Sequence, residues 1–157
     1  MKNSLMNTYA PLSPVMCKGE GVYLFDTDNN KYLDFTSGIG VNCLGYCHPK
    51  WTEAITKQAA TMQHCSNIFV NPTTIEASNK FCKKAEMSKV FFCNSGAEAN
   101  EGAIKLAKKY SFDKYGEGRN KILSLKQSFH GRTITTLKLN GQDKFHKYFF
   151  PFPEGID

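Results

Sequence analysis

Two short runs of apolar and aromatic positions near the start of the chain, Val22-Tyr-Leu-Phe-Asp26 and Tyr32-Leu-Asp-Phe-Thr36, are strand-like. Thr27-Asp-Asn-Asn-Lys31 separates them and is rich in turn formers, so the stretch reads as a β-hairpin. Ser37-Gly-Ile-Gly-Val-Asn-Cys-Leu-Gly45 follows as a glycine-spaced loop whose backbone can approach a neighbour closely. Pro49 then opens a helical pattern with Trp51, Ala54, Ile55, Ala59 and Met62 on one side. A second helix is expected after Asn71-Pro72, with Ile75, Phe81, Cys82 and Ala85 on its apolar side. Lys89-Val-Phe-Phe-Cys93 is almost wholly apolar, the pattern of a strand buried on both faces of a parallel sheet. From Ser95 to about Phe112 the period returns to that of a helix, with Ala99, Ala103, Ile104, Leu106, Ala107 and Tyr110 forming a broad apolar side and Glu101 and Lys105 an i,i+4 ion pair. After the polar, glycine-rich Lys114–Asn120 linker, Ile122-Leu-Ser-Leu125 reads as the next strand. The middle of the chain is therefore strand–helix–strand, which predicts a right-handed crossover in an α/β sheet. The hairpin and first helix form a smaller N-terminal α+β lobe, residues 1–70, ahead of a larger domain that begins in 71–157.

Composition places this pattern among globular chains. The chain has 157 residues, 41% of them hydrophobic and 22% charged, with 12 Phe and 7 Tyr as core material. The closing stretch Tyr148-Phe-Phe-Pro-Phe-Pro-Glu-Gly-Ile-Asp157 is aromatic rather than polar, and it reads as the interior of a larger fold. A piece of such a sheet exposes edge and apolar surface, so poor solubility is expected of the chain alone. No apolar run reaches the roughly 18 residues of a membrane span. The six cysteines form no C-x-x-C pair and follow no signal peptide, so reduced thiols and a cytoplasmic protein are expected. Cys43, Cys47 and His48 lie close in sequence but match no zinc spacing, and no metal is expected.

The net charge of +6 is compatible with nucleic acid, a phosphorylated cofactor or an acidic substrate. Nucleic acid is disfavoured, because the aromatic residues are not interleaved with the basic ones as a stacking platform requires. Two segments carry candidate chemistry. In Val90-Phe-Phe-Cys-Asn-Ser-Gly-Ala-Glu-Ala-Asn100 a strand passes into a helix with almost no loop. Ser95 and Glu98 have the spacing of a capping box, and Gly96 and Ala97 leave their backbone N–H groups open at a positive helix end. That is an anion site, most naturally for phosphate, or equally an ordinary capped helix. In Ser128-Phe-His-Gly-Arg-Thr133, just after a predicted strand, Phe129 offers a flat face and Arg132 a carboxylate fork. The bland alternative is a surface loop with a packed Phe and a solvated Arg. Neither a P-loop nor a dinucleotide fingerprint is present.

Asn94–Asn100 with Ala103-Ile-Lys-Leu-Ala-Lys108 resembles the phosphate-binding segment of the class III, ornithine-type, pyridoxal-phosphate (PLP) aminotransferases, and Phe129–Thr133 resembles a second signature of that family. Gly19–Asp26, Tyr32–Phe35, Gly38–Asn42 and Leu44–Pro49 resemble its N-terminal segments, in order. The resemblance implies a fold-type I α/β transferase, here incomplete, and a homodimer with sites at the subunit interface. It implies PLP as cofactor, with Ser95, Gly96, Ala97, Phe129 and His130 around it: backbone N–H groups on the phosphate, Phe129 on the ring. It implies substrate contacts from Arg132, to an α-carboxylate, and from Asn42. No catalytic residue is expected in this chain, because the family's cofactor lysine lies downstream, so the chain alone is expected to be inactive. Asn7-Thr-Tyr9, Ile39–Asn42, Ser66-Asn67 and Phe91–Ser95 are most similar to members that move an amino group between N-acetylornithine and 2-oxoglutarate in arginine biosynthesis. Ornithine, succinylornithine or 4-aminobutyrate as substrate, and a non-catalytic truncated product, are the alternatives.

Overall fold

The hairpin forms where the turn formers place it. In the computed structural model, which describes residues 4–157, β2 (Tyr23–Asp26) and β3 (Lys31–Leu33) pair antiparallel with Leu24 opposite Tyr32. The first three residues of the expected N-terminal lobe lie outside the described ones. A further strand, β1 (Met16–Glu20), completes a sheet of order β1-β2-β3, with a bulge between Met16 and Lys18. Its sequence, Met-Cys-Lys-Gly-Glu, carries no strand signal, and pairing with β2 imposes the extended form.

Asp26 orders the turn. The residue is 4% exposed, and its carboxylate accepts from the amides of Asp28 and Asn30, both at 2.9 Å, from Asn30 Nδ2 at 3.0 Å and from the Tyr32 hydroxyl at 2.8 Å. Asp34 does the same beyond β3. It accepts from the Thr36 amide and hydroxyl, the Ser37 amide and, at 2.7 Å, the Tyr46 hydroxyl. The Tyr46 ring lies so close over Gly19 that a Cβ there would sit 2.5 Å from it, and Tyr46 exchanges two backbone hydrogen bonds with Gly21. These contacts give the Gly19–Asp26 and Leu44–Pro49 segments a shared structural role.

The glycine loop folds into α1 (Ser37–Gly40), a single turn in the left-handed region, with φ of 49° at Ser37, 60° at Gly38, 61° at Ile39 and 80° at Gly40. Left-handed backbone is uncommon for a β-branched residue such as Ile39. Helix α2 (Pro49–Thr61) begins with proline at its first position, as expected, but buries none of its residues.

The chain divides into two units, residues 1–71 and 72–157. The second contains α3 (Pro72–Ala85), α4 (Gly96–Tyr115), α5 (Ile134–Lys138) and a 3-10 turn at Asp143–Phe145. Its core is Ile104 of α4 with Leu139 and Ile156, flanked by Ile122.

Here four expectations change. Residues 89–93 join no sheet, and Phe91 and Phe92 are 73% and 50% exposed. An apolar run becomes a buried strand only when another strand lies beside it, and among the described residues none does. The Ile122–Leu125 segment does pair in the parallel sense, but through a bridge between Ile122 and Ile156 in the aromatic closing stretch. The Ile122 amide donates to Gly155 and the Asp157 amide to Ile122. Glu101 does not pair with Lys105; its carboxylate accepts the Thr133 hydroxyl at 2.5 Å, and the i,i+4 ion pair of α4 joins Lys109 to Asp113 instead. Of the predicted apolar side of α4, Ile104 alone is buried among the described residues, and Leu106 is 71% exposed.

Candidate functional site

Helix α4 starts at the expected serine. Ser95 has extended backbone, φ −158° and ψ 162°, and its hydroxyl accepts the Glu98 amide at 3.2 Å. The return half of the capping box is shifted by one residue. Glu98 accepts from the main-chain and side-chain nitrogens of Asn94, at 2.8 and 2.9 Å, rather than from Ser95. The glutamate is thereby held on the strand side of the turn. The amides of Gly96 and Ala97 have no partner among the described residues, and nothing lies within 4 Å of the space a Gly96 side chain would take. A twenty-residue helix thus points free N–H groups and its positive end at open space.

The second segment packs onto this helix end. Gly131, at φ 129°, approaches Ala97 so closely that a Cβ would sit 2.7 Å from the Ala97 Cβ and 3.0 Å from its Cα. The two motifs, more than 30 residues apart in sequence, therefore meet within one unit. On one side of Gly131, Phe129 is exposed and meets Phe145 edge-on at 6.0 Å between ring centres. On the other, the Arg132 guanidinium carbon stands 5.7 Å from the centre of the Phe129 ring. A flat aromatic face and a planar cation are thus neighbours beside the helix N-terminus.

His130 is half-buried, and its Nδ1 lies 3.1 Å from the Leu139 carbonyl and 3.4 Å from the Ser128 hydroxyl. A carbonyl only accepts, so Nδ1 carries a hydrogen and the ring is tethered to the segment behind the loop. The Ser128 hydroxyl reinforces the tether: it lies 2.5 and 3.2 Å from the Leu125 and Leu139 carbonyls, which share its one hydrogen. Thr133 caps α5 in a reciprocal box with Thr136, which is wholly buried. Asn42 belongs to the other unit, where its amide donates to Ser37 across the left-handed turn.

Two residues hold the site in roles the sequence did not indicate: Asn100, which closes the first motif, and Asn140, which lies outside both. Asn100, in the second turn of α4, donates to the His130 carbonyl at 2.7 Å. Asn140, 1% exposed, accepts the His130 amide at 2.6 Å and donates to the Gly131 carbonyl at 2.9 Å. Asn140-Gly141 has the composition of an ordinary turn, so only packing reveals its role.

Among the described residues no group of three or more His, Cys, Asp or Glu side chains is arranged to hold a metal ion, the six cysteines are free, and no helix is long and apolar enough to cross a membrane.

Known proteins match this arrangement along nearly the whole chain. Proteins named acetylornithine aminotransferase from Haemophilus ducreyi and Caldanaerobacter subterraneus are 50% and 52% identical to it over 155 residues, 99% of this chain and 39% of each of theirs. The chain thus spans about two fifths of the length of these relatives. Among solved structures, an ornithine aminotransferase from Toxoplasma gondii superposes with a TM-score of 0.92 at 28% identity, over 98% of this chain and 37% of that one. A second structure of the Toxoplasma enzyme is described as having partial occupancy of PLP at its active site. A Bacillus anthracis aminotransferase gives 0.90 at 29% identity, over 97% of this chain and 35% of its own. The described chain therefore shares its fold with part of the fold-type I aminotransferases. The family profile described as aminotransferase class-III matches residues 5–157, and the chain belongs to that family.

Proposed function

We propose that the protein to which this chain belongs is a PLP-dependent aminotransferase that moves an amino group between N-acetylornithine and 2-oxoglutarate, in the cytoplasm, as a homodimer serving arginine biosynthesis. The observation that carries the reading is the meeting of two motifs at Gly131: free amides of a helix N-terminus, an open aromatic face and a guanidinium lie together. The names of the relatives support the substrate, and the six free cysteines suit a reducing compartment.

The residues present fit PLP. Its phosphate needs donors without a competing side chain, and Gly96 leaves that space open. When bound, the cofactor supplies the electron sink that the chemistry requires. This chain's residues bind and orient. The Gly96 and Ala97 amides, with Ser95 beside them, would receive the phosphate. Phe129 would lie against the ring, with the main chain of His130 fixing where that face points. Arg132 takes the substrate α-carboxylate in two parallel hydrogen bonds, a geometry lysine cannot reproduce. We assign substrate contact to Asn42 as well, and no proton transfer to any residue of this chain.

The full-length protein, assayed with 2-oxoglutarate, is expected to use acetylornithine with a kcat/KM at least about ten-fold above that for ornithine, the size of one well-placed polar contact. Arg132→Lys is expected to raise the KM for the amino donor by about ten-fold or more while the folded state persists. Preference for ornithine would favour the second reading, to which the likeness to the Toxoplasma ornithine aminotransferase lends weight.

A further inference from the structure

We infer that Asn140 is a positioning residue: its buried amide, opposed by that of Asn100, sets the angle between the Phe129 face and the Arg132 fork. The inference rests on the functional reading above. Between Phe129 and Arg132 lie only His130 and Gly131, so the orientation of that dipeptide decides where both functional side chains point. Three of its four main-chain polar groups are held by asparagine side chains. Asn140 Oδ1 takes the His130 N–H at 2.6 Å, Asn140 Nδ2 gives to the Gly131 carbonyl at 2.9 Å, and Asn100 Nδ2 gives to the His130 carbonyl at 2.7 Å.

The two asparagines reach the loop from different elements. Asn100 stands on α4, the helix whose N-terminus receives the anion. Asn140 follows α5, and its own amide is anchored on the Leu137 carbonyl at 3.1 Å. Leu137 and Leu139, which precede it, are 6% and 4% exposed, and Asn140 itself is 1% exposed, so the base of the Asn140 side chain is set in packed core. The clamp is needed because Gly131 sits at φ 129° without a side chain to restrain it, pressed against Ala97.

Chemistry restricts what can stand at position 140. The group must accept at one end and donate at the other in one plane, which a carboxamide does and an ionised carboxylate does not. A protonated carboxylic acid does it too. Asn140→Asp therefore carries its own switch: ionised, it faces the Gly131 carbonyl with a lone pair, and protonated it regains the donor. Burial raises the pKa of such an acid, so the recovery is expected on acidification below about pH 6.

The test uses the full-length protein with PLP and three variants: Asn140→Asp, Asn140→Ala and Asn100→Ala. Each is measured below its own melting temperature. The readouts are the visible circular-dichroism band of the bound cofactor, which reports ring orientation, and the KM for the amino donor against kcat. Asn140→Ala is expected to lose at least about half the band and to raise KM about ten-fold, the effect of one or two lost hydrogen bonds, with a smaller change in kcat. Asn140→Asp is expected to match it at pH 8 and to regain band and KM at low pH, which Asn140→Ala does not. Asn100→Ala is expected to shift both readouts the same way and less. Folded variants with the parental band and KM would overturn the inference, as would an Asp variant that tracks the Ala variant at every pH. A parent protein that takes up no PLP overturns the functional reading, and the clamp's purpose with it.

Discussion

One carboxylate, that of Asp26, orders the first hairpin, and its protonation state is a stability switch. The Asn30 side-chain amide, then the Tyr32 hydroxyl and the amides of Asn30 and Asp28, hold its pKa below the ordinary carboxylate value, against the opposing effect of desolvation. A group whose pKa is lower folded than unfolded stabilises the fold above its unfolded pKa and loses that contribution as pH falls through the folded value. The urea midpoint of the full-length protein is therefore expected to be insensitive to this group from pH 7 to about 4, and to fall below that. Asp26→Asn should lower the midpoint at neutral pH and flatten the acid slope; an unchanged slope would count against the assignment. Asp34 acts in the same direction, its pKa lowered first by the Thr36 hydroxyl and then by the Tyr46 hydroxyl.

Helix α4 performs two tasks at its first turn, and substitution at Ser95 separates them. Ser95→Ala removes the bond to the Glu98 amide and is expected to cost about 1 kcal/mol by chemical denaturation. Ser95→Asp keeps a capping oxygen, so stability should survive, but its charge beside the free amides should weaken phosphate binding several-fold, read by titration with PLP. Equal loss of stability in both variants would show that the hydroxyl does more than cap. The serine, the glycine and the glutamate of this turn were legible in the sequence because a cap is a contact between near neighbours. So was the β2–β3 hairpin, whose turn chemistry lies within Thr27–Lys31. The roles of Asn100 and Asn140 were not, because their partners lie 30 and 9–10 residues away and the chain must first fold to bring them together. Strand β1 escaped for the related reason that its partner, not its composition, makes it a strand.

At the scale of the molecule, exposure exceeds what a self-sufficient fold shows. The surface is 13773 Å², whereas a compact chain of this mass exposes roughly 8,000 Å² and two compact halves together roughly 9,600 Å². Phe91, Leu106, Tyr110 and Phe150 all stand largely in solvent. The 157-residue chain alone is expected to bind a hydrophobic dye and to self-associate, measured by dye fluorescence and light scattering. A monodisperse chain that unfolds cooperatively without dye binding would refute this. The unpaired run at residues 89–93 shows the same exposure on the backbone. Its five main-chain amides have no acceptor among the described residues, so in heavy water they should trade protium for deuterium at nearly the pace of an unstructured peptide. In α4, which begins at Gly96, the interior amides are tied into a twenty-residue helix and should be labelled far more slowly. A mass spectrometer reading peptides on either side of the first turn of α4 would then see a step in uptake. The height of that step, compared between this chain and the full-length protein, becomes a direct gauge of how firmly another strand is laid along Lys89–Cys93.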